Sequence, residues 1–69
     1  MKSLNVEEQI EYALDEVSTY PRGYVFFVED ILTVKRCIGA TNYITFKSRL
    51  KMALNKTCSL IGTDKYRKK

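Results

Sequence analysis

Histidine and tryptophan are absent from the 69-residue sequence, and cysteine occurs only twice, at Cys37 and Cys58. Without histidine, the chain lacks the side chain that most often acts as a general acid or base near neutral pH and that commonly binds zinc. Two cysteines do not build a disulfide framework, and we expect them to be reduced and partly buried. The composition therefore argues against an enzyme and against a bound metal or other cofactor.

Long apolar runs are also missing. The longest, residues 24–28, falls far short of the roughly 20 residues that a membrane span requires, and an acidic amphipathic segment follows Lys2 where a secretory signal would be apolar. We therefore expect a soluble, cytoplasmic protein with no membrane partner. Hydrophobic residues at 45% and charged residues at 29% are ordinary globular values, so residues 1–69 are predicted to form a single small domain.

Charge is distributed unevenly along the chain. Residues 1–30 carry two basic and seven acidic side chains, whereas residues 31–69 carry ten basic side chains and one acidic side chain. Segregation of this kind suggests a polyanion or an acidic protein surface as the partner of the second half. The alternative is a solvated basic segment attached to an otherwise neutral domain.

The first predicted element is an amphipathic helix. Asn5 and Glu8 have the spacing of a capping box, so the helix should begin near Val6. Its apolar positions lie within one arc of the helix, and its acidic positions lie opposite. The apolar set is Val6, Ile10, Ala13, Leu14 and Val17, and the acidic set is Glu7, Glu8, Glu11, Asp15 and Glu16. Tyr12 projects from the acidic side, where it is either a contact for a protein partner or an exposed aromatic residue without a role.

Turn-forming residues divide the rest of the chain into short elements. Residues 20–23, with Pro21 and Gly23 at turn positions i+1 and i+3, should reverse the chain before a strand over residues 24–28. A second helix is expected over residues 30–38, and Thr41 or Thr45 should cap a third. A hairpin should join residues 58–61 to residues 65–67. The expected core is Val6, Ile10, Leu14, Val17, Phe26, Ile31, Phe46, Leu50, Leu54 and Ile61.

The third helix has a basic outer face. Cations flank its apolar arc on both sides, with small polar or apolar residues between them, a pattern that suits a DNA major groove. The basic return strand of the hairpin follows at once. The predicted DNA-binding residues are Lys47, Ser48, Arg49, Lys51, Met52, Asn55, Lys56, Lys65, Arg67, Lys68 and Lys69. A solvated lysine-rich helix followed by a frayed basic end is the alternative.

A family resemblance rests on the order of several short motifs. Pro21-Arg22-Gly23 with Phe26, then residues 29–32, then Phe46-Lys47 with Leu50 and Ala53, and finally Leu60-Ile61-Gly62 with residues 65–68, resemble a small bacterial and phage winged-helix-like family of unknown function. The resemblance implies an α+β fold, namely a compact winged-helix-like domain of three helices, a short strand and a C-terminal β-hairpin. It implies a fold rather than a function.

The sequence thus favours a non-enzymatic protein that binds double-stranded DNA. Its expected role is local gene control in a bacterium or mobile element. A homodimer or cooperative assembly on DNA is expected, because one module of this size covers little DNA. The main alternative is a small interaction module or inhibitor that uses its charged faces to bind an acidic or a basic protein. A further alternative is single-stranded nucleic acid stacked on Tyr24, Phe27, Tyr43 or Tyr66.

Overall fold

The computed structural model describes residues 5–69. Residues 1–4, which the single-domain prediction includes, lie outside the described residues. The elements run in the order α1 (Val6–Ser18), β1 (Val25–Phe27), a 3-10 helix (Val28–Asp30), α2 (Leu32–Cys37), α3 (Tyr43–Thr57), β2 (Cys58–Gly62) and β3 (Lys65–Lys68). The strands form one antiparallel sheet. The α+β class is therefore confirmed.

Helix α1 begins where the sequence predicts. The Glu8 amide donates to the Asn5 side chain at 2.8 Å, and the Asn5 amide donates to the Glu8 carboxylate at 3.3 Å, which completes the capping box. The predicted apolar face is correct in phase but not uniform in depth. Ala13 and Val17 are fully buried, whereas the remaining apolar side chains of α1 are only partly buried against the core.

A buried glutamine links α1 to the second half of the chain. The Gln9 side-chain amide donates to the Cys37 sulfur at 3.2 Å, and its carbonyl oxygen accepts from the Asn42 side chain at 3.2 Å. Gln9 is the buried polar residue of the described chain, and both polar ends of its side chain have a partner. Its buried position was missed because the apolar periodicity of α1 does not include it.

The turn after α1 differs from the predicted one by one position. The Tyr24 amide donates to the Pro21 carbonyl at 3.0 Å, so Pro21 occupies position i and Gly23 position i+2. Gly23 has a φ of 84°, which a residue with a Cβ rarely adopts. The predicted positions i+1 and i+3 are therefore wrong, although the residues that form the turn are correct.

The second helix is shorter than the predicted span of residues 30–38. Ile31 is extended, with φ −68° and ψ 127°, and separates the 3-10 helix from α2. The Asp30 carboxylate accepts from the Phe27 amide at 3.1 Å and so caps the 3-10 helix instead of a longer α-helix. The Glu16 carboxylate of α1 accepts from the Leu32 amide at 3.1 Å. Glu16 is therefore a half-buried contact between helices and not a freely exposed acid.

The predicted caps of α3 are wrong. Its N-cap is Asn42 rather than Thr41 or Thr45, and the Asn42 side chain makes no capping hydrogen bond. That side chain is already bound to Gln9, which explains why local capping chemistry does not mark the start of α3.

The sheet has the strand order β1-β3-β2. Phe26 and Leu60 both pair with Tyr66 in the central strand β3, and Val25 pairs with Arg67. A bulge interrupts β2 between Leu60 and Gly62. The predicted hairpin is confirmed, but Ile61 lies in the bulge and is 43% exposed, so its predicted place in the core is wrong.

The core lies between the helices and one face of the sheet. Its buried members are Ala13, Val17, Phe26, Val28, Ile31, Val34, Cys37, Phe46, Leu50, Leu54, Cys58 and Tyr66. Tyr66 is among the largest fully buried side chains. Its ring centroid lies 6.2 Å from that of Phe26, and its hydroxyl donates to the Lys51 carbonyl at 3.4 Å. Tyr66 therefore packs the centre of the sheet against α3.

Substitution of a central core residue should unfold much of the population. Leu50 is fully buried, and removal of a leucine side chain from a packed core costs about 2–5 kcal/mol, a large part of the stability of a small domain. Thermal unfolding followed by circular dichroism measures the loss. Ile61→Ala is the control and should change stability by no more than about 0.5 kcal/mol. Equal melting temperatures of Leu50→Ala and wild type would contradict this packing of α3.

Candidate nucleic-acid interface

Helix α3 presents one face to the core and leaves the opposite face uncovered. Phe46, Leu50 and Leu54 are fully buried, and with 3.6 residues per turn the centre of the opposite face falls at Ser48 and Met52. Both are exposed, and the Met52 side chain is 70% exposed. We call this surface the outward face of α3. It contains the three uncharged residues that the sequence assigns to DNA, because Asn55 is also exposed.

Two predicted cations flank this face on the side of α1. Arg49 and Lys56 are exposed, and Lys56 lines a groove together with Leu14 and Asp15 of α1. Lys68 of β3 lines the same groove. The Lys69 amide donates to the Thr57 carbonyl at 3.1 Å, so the end of β3 lies beside the end of α3. Four of the predicted cations, Arg49, Lys56, Lys68 and Lys69, are therefore distributed along this flank and at this end of the helix.

The lysines on the other flank are paired with acids. The Lys47 ammonium lies 2.5 Å from the Glu29 carboxylate and 3.1 Å from that of Asp64, and the Lys51 ammonium lies 2.6 Å from Asp64. Glu29 comes from the 3-10 helix and Asp64 from the hairpin turn. We call these four residues the ion cluster. Its ion pairs connect the hairpin turn and the 3-10 helix to α3.

The ion cluster shifts the pKa values of its members in the directions that favour their charged forms. Hydrogen bonds to Glu29 and then to Asp64 raise the pKa of Lys47, although partial burial opposes this. A hydrogen bond to Asp64 raises the pKa of Lys51. Hydrogen bonds from Lys51 and Lys47 lower the pKa of Asp64. Both lysines are therefore charged but already neutralised by neighbouring carboxylates.

Apolar side chains surround these paired lysines. Ile44 is 82% exposed and Leu60 of β2 is 56% exposed, and both line one groove with Met52 between α3 and the hairpin. Neither Ile44 nor Leu60 was a predicted site residue. The helical periodicity of α3 places Ile44 outside the core arc, so its exposure could have been predicted from the sequence. The position of Leu60 could not, because it depends on how the hairpin packs.

The other two hairpin cations face away from α3. Side chains alternate between the two faces of a strand, and Tyr66 points to α3, so Lys65 and Arg67 lie on the opposite face of β3. The Lys65 ammonium is 5.6 Å from the centroid of the Phe27 ring. The eight predicted cations therefore do not form one continuous surface. Two belong to the ion cluster, two lie on the outer face of the sheet, and four lie along the α1 flank and the end of α3.

The four aromatic residues predicted to stack on bases differ in their accessibility. Tyr66 is fully buried and Tyr43 is packed against the core, so neither side chain offers a free ring for stacking. Tyr24 is exposed on one side and packs against Tyr20 at 4.9 Å between ring centroids. Phe27 is 45% exposed. Of the four predicted aromatic residues, Tyr24 and Phe27 therefore remain accessible.

Tyr12 is exposed on the acidic side of α1, as predicted. It lines a shallow groove with Thr33, Arg36 and Cys37. Cys37 is a free, buried cysteine whose pKa is raised by burial, and Cys58 is likewise free and buried. The groove brings Arg36 of α2 near Tyr12 of α1, an arrangement that the sequence alone did not indicate.

Residues 5–69 contain no helix with the length and apolarity needed to cross a membrane. In the same part of the chain, no group of three or more histidine, cysteine, aspartate or glutamate side chains is arranged to hold a metal ion.

Comparison of the chain with known protein families, with curated proteins and with solved structures found no match. The resemblance to a small winged-helix-like family therefore stays a prediction.

Neutralisation of Asp64 should weaken the attachment of the hairpin. Because the pKa of Asp64 is lowered in the folded chain, its pairs stabilise the fold above the unfolded pKa of about 3.9 and are lost as pH falls through the lower folded value. Asp64→Asn should therefore lower the melting temperature by a few degrees at pH 7, and the difference from wild type should shrink below about pH 4.

Melting curves from pH 2 to pH 8 measure this dependence. Asparagine tolerates the positive φ of 54° at position 64, so the substitution leaves the turn unstrained. Asp15→Asn removes an exposed acid that makes no ion pair among the described residues and serves as the charge-matched control. A difference between Asp64→Asn and wild type that does not change with pH would contradict a structural role for the ion cluster.

Proposed function

We propose that the chain is a non-enzymatic winged-helix protein that binds double-stranded DNA through the outward face of α3. The order of its elements, with a short strand after the first helix and a hairpin after the third, is the arrangement of winged-helix domains. The observation that carries the proposal is the uncovered outward face of α3, a 15-residue helix that is about 22 Å long. A major groove admits a helix of this kind.

The chemistry of this face suits a DNA duplex. Ser48 and Asn55 supply hydroxyl and amide groups that can bind base edges, and Met52 supplies an apolar side chain that can contact a thymine methyl group. Arg49 and Lys56 lie at the flank, where they can neutralise backbone phosphates. In this proposal, phosphate contacts fix the position of the helix and the uncharged residues supply the sequence preference.

The ion cluster changes the roles assigned to two lysines. Lys47 and Lys51 hold the hairpin turn against α3, so they position the edge of the interface instead of supplying free charge to it. Lys68 and Lys69 lie at the end of α3 and extend the phosphate-binding flank. Lys65 and Arg67 of β3 lie on the opposite side of the sheet and take no part in this interface.

Assembly on DNA forms part of the proposal. A single module of this kind covers only about 600–1,000 Å² of protein surface on DNA, so selective binding requires two copies on neighbouring half-sites or cooperative loading. Strand β1 lies at one edge of the sheet, and Ile38 is exposed in the connection between α2 and α3. These two regions are the proposed self-contacts, and local gene control in a bacterium or mobile element is the proposed role.

One observation favours a second candidate function. Ile44, Met52 and Leu60 form an exposed apolar patch beside lysines that are already neutralised. Such a patch is typical of a protein interface, and it would serve a small interaction module or inhibitor. This candidate requires a protein partner and predicts no dependence on DNA.

Salt dependence of duplex binding distinguishes the two candidates. If the four cations along the α1 flank and end of α3 meet phosphates, log K should fall against log salt with a slope of about −3 to −4. Arg49→Ala and Lys56→Ala should each make the slope less steep by about one unit. Fluorescence anisotropy of a labelled duplex over a series of salt concentrations measures the slope.

Lys65→Ala is the matched control, because it removes one positive charge from the far face of the sheet and should leave the slope unchanged. Equal slopes for Arg49→Ala, Lys65→Ala and wild type would contradict contact through α3. Absence of duplex binding at low salt would favour the interaction module.

A further inference from the structure

The face of the sheet opposite α3 carries aromatic and cationic side chains together. Strand register and alternation place Val25 and Phe27 of β1, Ser59 of β2, and Lys65 and Arg67 of β3 on this face. We call it the outer sheet face. None of these five residues is acidic, and the described elements leave Phe27 and Arg67 exposed.

An aromatic ring and a cation are adjacent on this face. Phe27 and Lys65 are direct cross-strand partners, and the Lys65 ammonium lies 5.6 Å from the ring centroid. Arg67 is two residues further along β3, about 7 Å away. Neither cation forms an ion pair within residues 5–69. Glu29 and Asp30 are the nearest acids after β1 in the chain. The Glu29 carboxylate pairs with Lys47, and the Asp30 carboxylate accepts from the Phe27 amide.

This combination matches the two parts of a nucleotide. Any base can stack on an aromatic ring, so stacking does not depend on the nucleotide sequence, and a cation beside the ring attracts the phosphate. When a base occupies the Phe27 ring, the Lys65 ammonium can move from the ring to the neighbouring phosphate, because its stem is long and flexible. Arg67 is then placed for the next phosphate along an extended strand.

The same chemistry disfavours other occupants. A second copy docked symmetrically on this face would bring Lys65 and Arg67 close to their own copies, and the repulsion between these like charges would oppose the contact. The bases of a duplex are already stacked on one another, so the Phe27 ring has no free base to receive. An acidic peptide would satisfy the cations but gain little from the aromatic ring.

We propose that the outer sheet face binds single-stranded nucleic acid, with Phe27 stacking a base and with Lys65 and Arg67 binding phosphates. This site lies on the opposite side of the sheet from the outward face of α3. It does not depend on the proposed duplex interface, and each site can fail without the other.

A single tryptophan reports on this site directly, because the chain contains no tryptophan of its own. Phe27→Trp retains the stacking surface, and an oligothymidylate of about 12 nucleotides is long enough for one such site. We expect the oligonucleotide to bind with wild-type affinity and to quench the tryptophan fluorescence. Tyr12→Trp places the same reporter on the acidic side of α1 and should show no quenching. Unquenched fluorescence of the Phe27→Trp variant at saturating oligonucleotide would overturn the proposal.

Removal of the ring tests its contribution to affinity. Phe27→Ala should weaken oligothymidylate binding about 5- to 150-fold, the range that loss of one stacked base produces, and should leave duplex binding unchanged. Arg67→Ala should reduce the salt dependence of oligonucleotide binding. Anisotropy of the labelled oligonucleotide measures both effects. Circular dichroism identifies any variant that fails to fold, and the Phe27→Trp experiment then decides the question.

Polyglutamate of matched charge is the competitor that separates nucleic acid from an acidic protein. We expect it to displace the oligonucleotide only weakly. If polyglutamate displaces it as well as unlabelled oligonucleotide does, and Phe27→Ala binds like wild type, then the face is a site for acidic peptides and the proposal is wrong.

Discussion

The burial of Tyr66 is the constraint on which the arrangement of the surface depends. Tyr66 lies in the central strand, packs near the Phe26 ring and reaches the backbone of α3. Because side chains alternate along a strand, this one buried aromatic residue fixes the direction of its neighbours. Lys65 and Arg67 must therefore face away from α3. A shift of β3 by one residue would place two cations in the core, at a cost that a small domain cannot sustain.

The ion cluster limits how much of the positive charge of the second half is free to bind a partner. Asp64 stands alone as an acid in the basic second half of the chain, and it lies where it meets Lys47 and Lys51 at once. Its position in the hairpin turn lets it hold the turn against α3. Net charge therefore overstates the free positive charge beside the hairpin, and we infer that duplex binding uses Arg49 and the other cations along the α1 flank and end of α3.

Local patterns in the sequence predicted much of the fold but only part of the site. The capping box of α1, the apolar phase of α3 and the hairpin depend on neighbouring residues, and these predictions are confirmed. The Asp30 carboxylate caps the 3-10 helix locally, ahead of the extended Ile31. The start of α2 at Leu32 and the N-cap of α3 involve contacts distant in sequence, made by Glu16 and Gln9. The division of the cations between two faces depends on strand register, which charge counts along the sequence do not contain.

We propose that the cations of the second half serve two separate surfaces. An amide chemical-shift titration of the labelled protein with a short DNA duplex tests it most directly. We expect the largest shifts on the outward face of α3, at Ser48, Arg49 and Met52. The amides of Phe27 and Arg67 on the outer sheet face should stay nearly unchanged. Shifts spread equally over both faces, or concentrated on the outer sheet face, would contradict this division of the cations between two surfaces.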